Sequence, residues 1–320
     1  MKYTNNLKIL FFRKKFNQRF SIFNQLELSK IDTILPHDVD LIYGDTLEEL
    51  DKANIIIFDV PFLLSHIVNC NITKKDGQIW VGWCLECEEN YPWIKYPMIH
   101  DLFDFWMTYH LDSDVVLPYY DVTFLTRLFI PPLPKNKNVC MLISSMINQS
   151  KRQEYLLELM RYLSIDSYGK WQNNCLLPND RGYLTKLELM KDYRFTIAFE
   201  NAIGKDYVTE KFFDPLLSGS VPIYWGAPNI ETFSPGDNSF LDVRQYPEPK
   251  KLAEDILEYC EDNEKYNHFF EWKTNSLNPT FKALLKQQIK HPLIRLIELV
   301  RNSNNISLSL KSTHESSIFK

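Results

Sequence analysis

The segment 193–226 reads YRFTIAFENAIGKDYVTEKFFDPLLSGSVPIYWG. Two short apolar runs, FTIAF (195–199) and VPIYW (221–225), bracket a charged stretch, FENAIGKDYVTEK (199–211). Runs of this length read as buried strands, and the stretch between them holds good helix caps. A buried strand, a helix start and a second buried strand make one unit of a parallel sheet. Such sheets bind ligands beyond the carboxyl ends of their strands. Glu200 and Asn201 fall at that end of the first strand. The helix begins near Asp206 or Thr209, since both are favoured N-caps. Lys211 then lies in the first turn, where a positive charge opposes the helix dipole unless an anion sits there; a phosphate is the natural candidate. Glu210 points about 100° away from Lys211. It suits a sugar hydroxyl or a developing cation. The plainer alternative is a solvated helix start with incidental charges.

The same pattern runs along the whole chain. LKILFF (7–12), NIIIFDV (54–60), QIWVGW (78–83) and DVVLPY (114–119) read as buried strands of a first half. VCMLIS (139–144), IDSYG (165–169), FTIAF, VPIYW and SFLDV (239–243) read as strands of a second half. Helical patterns over 152–163, 184–192, 250–260 and 263–270 alternate with the latter. The proline-rich, then polar PPLPKNKN (131–138) marks the boundary. The expected organisation is α/β: two doubly wound domains, 1–134 and 135–290, facing each other across a cleft, followed by a tail over 291–320. In that tail HPLIRLIELVRN (291–302) spaces its apolar residues as a helix does. Its amphipathic face suits packing onto the body, or a peripheral contact with a membrane surface.

Bulk numbers bound the function. At 320 residues two domains are expected, and 45% hydrophobic with 24% charged residues is globular. A net charge of −5 argues against a nucleic-acid partner. Six cysteines (70, 84, 87, 140, 175, 260) form no regular framework, which fits a reducing compartment. No run reaches the ~18 apolar residues of a membrane span. The basic N-terminus (Lys2, Lys8, Arg13, Lys14, Lys15) has too short an apolar stretch for a signal sequence. A cytoplasmic protein is expected, peripheral at a membrane if the tail binds one, and Golgi-resident only if an anchor is missing from this chain.

FENAIGKDYVTEK followed by SGSVPIYWGAP resembles the signature of glycosyltransferase family 10, the α-1,3/4-fucosyltransferases. GQIWVGWCLE (77–86), FDFWMTYHLDSDVVLPY (103–119), SIDSYGK (164–170) and EWK (271–273) are similar to further family segments. The similarity covers about residues 75–275. It implies a GT-B-like fold with two Rossmann-like domains, the first binding acceptor and the second GDP-fucose. It also implies an inverting transfer of fucose to a hydroxyl of an N-acetylglucosamine-containing glycan. The YWGAP wording is closer to bacterial members.

Within that resemblance Glu86 is the position matching the general base, with Glu88 and Glu89 as rivals. Arg152 and Lys211 match the cations that stabilise the diphosphate, with Lys151 as the alternative to Arg152. Glu210 matches a glutamate near the fucose. Asn201 and Tyr207 match nucleotide contacts, and Glu200 supports the loop or touches the donor. Asp112-Ser113-Asp114 looks like a metal-binding DxD but reads here as a cap or turn. No metal is required, a divalent ion being at most stimulatory, and no cofactor beyond the donor is implied. Cys84 and Cys87, a lone CxxC around Glu86, read as packing residues. Ala202 departs from the usual serine. Pro215 stands where an alanine is usual, and Asp214-Pro215 as an N-cap and N1 pair would split the helix there. Acceptor choice is assigned to first-domain loops around EENYPWIKYPMIHD (88–101), whose aromatics suit stacking on sugar rings. The products are expected to be Lewis-type glycans, in polysaccharide biosynthesis or glycoprotein fucosylation. The alternatives are a related GT-B enzyme with another nucleotide sugar or acceptor, or a catalytically silent glycan- or nucleotide-binding protein. The presence of Glu86, Arg152, Glu210 and Lys211 together counts against silence.

Overall fold

A computed structural model describes residues 6–12, 34–61, 72–120, 124–177 and 179–315. Cys70, Lys2, Arg13, Lys14 and Lys15 lie outside the described residues. The first half builds a six-stranded parallel sheet: β1 (Leu7–Phe12), β2 (Val39–Gly44), β3 (Ile55–Asp59), β4 (Ile79–Cys84), β5 (Phe105–Thr108) and β6 (Val115–Val116). Its order is β2-β1-β3-β4-β5-β6. The second half builds a five-stranded parallel sheet: β7 (Lys137–Met141), β8 (Asp166–Ser167), β9 (Tyr193–Phe199), β10 (Val221–Trp225) and β11 (Leu241–Asp242). Its order is β11-β10-β9-β7-β8. Numbered within its own half, each sheet runs 2-1-3-4-5, and the first adds a sixth strand. This is a doubly wound order, with its switch point between β1 and β3 in one half and between β7 and β9 in the other.

The inner strands are the ones that the apolar runs announced. All five residues of β3, IIIFD, are buried. Strands covered on both faces are read directly from sequence. β2 and β5 were not expected. β2 (VDLIYG) is a half-exposed edge, and its polar residues hide the period. β5 (FWMT) leaves Phe105 and Trp106 half-buried.

Pairing of β9 with β10 runs from Phe195 opposite Val221 to Phe199 opposite Trp225, so both strands end level. Just past that end the Glu200 amide donates to the Trp225 carbonyl at 2.8 Å. Gly226 sits so tight that a Cβ there would come 2.4 Å from the Tyr224 hydroxyl and 2.6 Å from Glu200 Cγ. The loops after the two strands are therefore locked side by side.

The helix Glu210–Ser218 is continuous through Pro215 and capped by Thr209. The expected split at Asp214-Pro215 does not occur. Asp214 is no cap: it is buried and paired with Lys186 at 2.7 Å and the Tyr183 hydroxyl at 3.1 Å. The bond lost at Pro215 is outweighed by the burial of Phe212, Phe213 and Leu216.

The tail packs onto the body, the first of the two expectations for it. The helix Pro292–Glu315 returns to the first half, where Leu293, Leu296, Ile297 and Val300 join the core of the first sheet. Arg295 donates to the Val116 carbonyl at 2.6 Å, and Arg301 pairs with Asp38 at 2.8 Å. The apolar face offered as a membrane contact over 291–302 is thus spent on the core. No helix among the described residues is long and apolar enough to cross a membrane. Leu296→Ala is expected to cost about 2–5 kcal/mol in urea unfolding. Unchanged stability with weakened vesicle binding would contradict this packing.

Candidate active site

The carboxyl ends of β4 and β9 face each other across the two halves. Glu86 stands two residues beyond β4. It is half-buried, and among the described residues its carboxylate has no hydrogen-bond partner. Desolvation raises its pKa. Lys211 opposes the rise, and Glu210 adds to it. A carboxyl group of the first half therefore feels two charges of the second half. Its rivals are committed elsewhere. Burial works against the charge of Glu88, but hydrogen bonds from His110 and Tyr109 hold its carboxyl at about 2. Glu89 is exposed and pairs with Lys95.

On the opposite wall the residues of FENAIGKDYVTEK close into a compact network. Glu200 is fully buried. It accepts from the Thr209 amide at 2.8 Å and from the Thr209 hydroxyl at 2.9 Å and 2.8 Å. The Thr209 hydroxyl caps the helix by accepting from the Lys211 amide at 3.3 Å. Lys211 Nζ donates to that hydroxyl at 3.0 Å and to Glu210 Oε1 at 3.1 Å, and lies 3.4 Å from Glu200 Oε2. Desolvation raises the Glu200 pKa against the pull of Lys211. Desolvation also opposes the Glu210 charge, yet Lys211 and Lys186 hold its carboxyl at about 2. Desolvation weakens the charge on Lys211, but Glu210 and Glu200 more than restore it. An unopposed lysine in a first turn was the anomaly in the sequence. Here two carboxylates answer it, and a quarter of the lysine side chain stays exposed.

Arg152 lies at the switch point between β7 and β9. It is only 1% exposed. Its Nη1 donates to the Phe199 carbonyl at 2.8 Å, and its Nη2 to the Ser145 and Ile147 carbonyls at 3.1 Å and 3.3 Å. The guanidinium ties the loops after β7 and β9 together. Nη1 and Nη2 are directed at backbone carbonyls, while its charge still reaches Glu200 and Glu210. Lys151, its alternative, is exposed and left-handed at φ 56°. Asn201 is buried, and its side-chain oxygen accepts from Asn90 at 3.1 Å, another link between the halves. Tyr207 is 3% exposed and packs with its ring 5.1 Å from Tyr109 and 6.1 Å from Tyr119. Its ring belongs to the seam between the halves.

Asp112-Ser113-Asp114 lies in a turn: the Ser113 amide donates to the His110 carbonyl at 3.2 Å, and Asp114 ties the turn to β5 by accepting from the Trp106 amide at 2.7 Å. His110, Asp112 and Asp206 place one donor atom each within 4.8 Å of one another. Both His110 nitrogens already face carboxylates, Glu88 at 2.8 Å and Asp206 at 3.5 Å, so the group is an ion-pair network. Cys84 and Cys87 are buried, and burial raises both thiols, Cys87 to about 11. Thiols raised in this way pack and do not react. Sequence patterns did not reveal Tyr119, Lys186 or His110. They lie on other elements, and only the fold brings them here, Tyr119 and His110 to the seam and Lys186 within the field of Glu210.

The protein family described as "Fucosyltransferase, N-terminal" matches residues 4–120, and that described as "Glycosyltransferase family 10 (fucosyltransferase) C-term" matches residues 132–315. The chain is 34% identical over 199 residues to human 4-galactosyl-N-acetylglucosaminide 3-alpha-L-fucosyltransferase 9, covering 61% of this chain and 53% of that protein. It is 38% identical over 130 residues to GDP-fucose protein O-fucosyltransferase 3 of Xenopus tropicalis, covering 39% of this chain and 28% of the relative. It thus spans about half, or less, of the length of these relatives. An alpha1,3-fucosyltransferase structure with GDP aligns at TM-score 0.61 and 17% identity, over 89% of this chain and 90% of the other. The form with GDP-fucose aligns at 0.59 and 18% identity, over 88% and 89%. That likeness establishes the GT-B fold. With both halves matched in order, and the facing strand ends carrying the matched residues, the chain belongs to glycosyltransferase family 10.

Proposed function

We propose that the protein transfers fucose from GDP-fucose to a hydroxyl of a glycan containing N-acetylglucosamine, with inversion. The observation that carries this is the placement of Glu86 within the fields of Lys211 and Glu210 across the facing strand ends. An inverting displacement needs a base on the acceptor side and a cation on the leaving-group side. Glu86 is the base, its desolvated carboxyl being more basic than an ordinary one. Lys211 is the cation. An arriving diphosphate competes with Glu210 and Glu200 for its ammonium, which those carboxylates hold ready. Arg152 adds its charge through the field, with Nη1 and Nη2 kept on backbone carbonyls. With these charges the leaving diphosphate needs no metal. A cavity of about 430 Å³, lined by Glu86, Glu88, Trp106, Tyr109 and His110 among others, offers room for the acceptor beside the base. Products of this kind are Lewis-type structures on surface polysaccharide. A polypeptide hydroxyl is a second acceptor, favoured by the 38% identity to a protein O-fucosyltransferase.

The pH dependence of kcat/KM tests the base. Glu86 works only as a carboxylate, so the rate falls as pH drops through its pKa, above the ordinary glutamate range. Glu210→Gln removes a charge that raises this pKa and is expected to move the acidic limb down. Lys211→Ala removes one that lowers it and is expected to move the limb up. Limbs that stay in place in both variants would exclude Glu86 as the titrating group.

A further inference from the structure

His110 follows β5 at the seam, and its two ring nitrogens face two different carboxylates. Nε2 lies 2.8 Å from Glu88 Oε1, on the loop after β4. Nδ1 lies 3.5 Å from Asp206 Oδ2, on the loop between β9 and the helix of Lys211. A neutral imidazole has one N–H and one lone pair, so it satisfies only one of them; an imidazolium donates to both. Asp206 is buried and left-handed at φ 64°. Its Oδ2 also accepts from the Leu111 amide at 3.2 Å, and its Oδ1 accepts from Asn229 at 2.8 Å. Asp206 is thus fixed from both halves. It stands three residues before the cap Thr209 and five before Lys211.

We propose that His110, as an imidazolium, is a positioning residue that ties Glu88 to Asp206 and so holds the loop bearing Glu210 and Lys211 opposite Glu86. The proposal rests on the fucosyl-transfer reading for its kinetic consequence only; the tie itself is a property of the apo protein. Unlike a lysine or arginine tie, this one titrates. The groups facing His110 are Glu88 and the neighbouring Tyr109 on the first half, Asp112 on the next turn, and Asp206 with Lys205 beside it on the second. Burial alone would discharge the ring, but Asp206 and Glu88 raise its pKa to about 9. Because the folded value lies above the ordinary one, the tie is fully present below about pH 6.5 and is lost as pH rises through about 9.

Hydrogen exchange of residues 204–211 and steady-state kinetics, both against pH, test the proposal with wild type, His110→Gln and His110→Arg. In His110→Gln the segment is expected to exchange faster at neutral pH. Its kcat/KM should fall on the order of ten- to a hundredfold, as expected for a misplaced cation. His110→Arg should protect the segment and keep activity at alkaline pH, where wild type loses both. Equal exchange in wild type and His110→Gln would overturn the proposal, as would an arginine variant no better than the glutamine one. If the segment loosens as expected but wild type transfers no fucose, the tie stands and the activity reading fails.

Discussion

Glu86→Gln is expected to lower kcat by about two to four orders of magnitude, the usual contribution of a positioned general base. The amide keeps the shape of the carboxyl but accepts no proton. KM for GDP-fucose should stay close to wild type, because Glu86 belongs to the first half and the donor is assigned to the second. Stability should hold or rise slightly, since the substitution removes a charge that desolvation penalises. Two neighbouring substitutions make this specific. Glu89→Gln touches an exposed partner of Lys95 and is expected to leave the rate unchanged. Glu88→Gln turns one of the two oxygens that face Tyr109 and His110 into a donor, so one of those bonds is lost, and it should cost stability as well as activity. A Glu86→Gln enzyme of normal kcat would remove the base from the mechanism.

Lys211→Ala is the second large effect. It removes the cation facing the leaving diphosphate, and losses of one such stabilising group run to about a hundred- to a thousandfold in kcat. It also leaves Glu200 fully buried without its nearest counter-charge. Breaking a fully buried pair costs about 3–5 kcal/mol. Lys211 retains some exposure, so the loss belongs at or below the low end of that range. The two effects separate on adding Glu200→Gln. Removing the stranded carboxylate should recover much of the stability of Lys211→Ala and none of its activity. Full recovery of activity in the double variant would make the lysine a structural partner of Glu200 and nothing more.

The strands of the second half were legible in the sequence to within a few residues, because β9, β10 and the inner end of β7 are apolar runs covered on both faces, whereas the helix Pro279–Gln287 was not expected. The charged stretch after β9 pointed to the candidate site by its one oddity, a lysine in a helix's first turn, which Glu210 and Glu200 answer in the fold. Pro215 misled in the other direction. A proline usually breaks a helix, but here the core beneath Phe212, Phe213 and Leu216 holds the turn together. The tail helix was read correctly as amphipathic, but the pattern cannot say what an apolar face meets; the first sheet is the answer. Least legible was the seam. Asn90 meets Asn201, and His110 meets Asp206, across 111 and 96 positions of sequence. No period or spacing encodes such pairs. They follow from two sheets of the same order turning their carboxyl ends toward each other.

The most direct test is to incubate the folded protein with GDP-fucose and N-acetyllactosamine and determine the product's anomeric configuration by NMR. Glu86→Gln and Lys211→Ala run alongside, with donor affinity measured for each. The account predicts α-linked fucose from the wild type and almost none from either variant. Donor affinity should be retained in Glu86→Gln and weakened in Lys211→Ala. Absence of GDP-fucose binding and turnover by the folded wild type, with glycan and polypeptide acceptors alike, would contradict it.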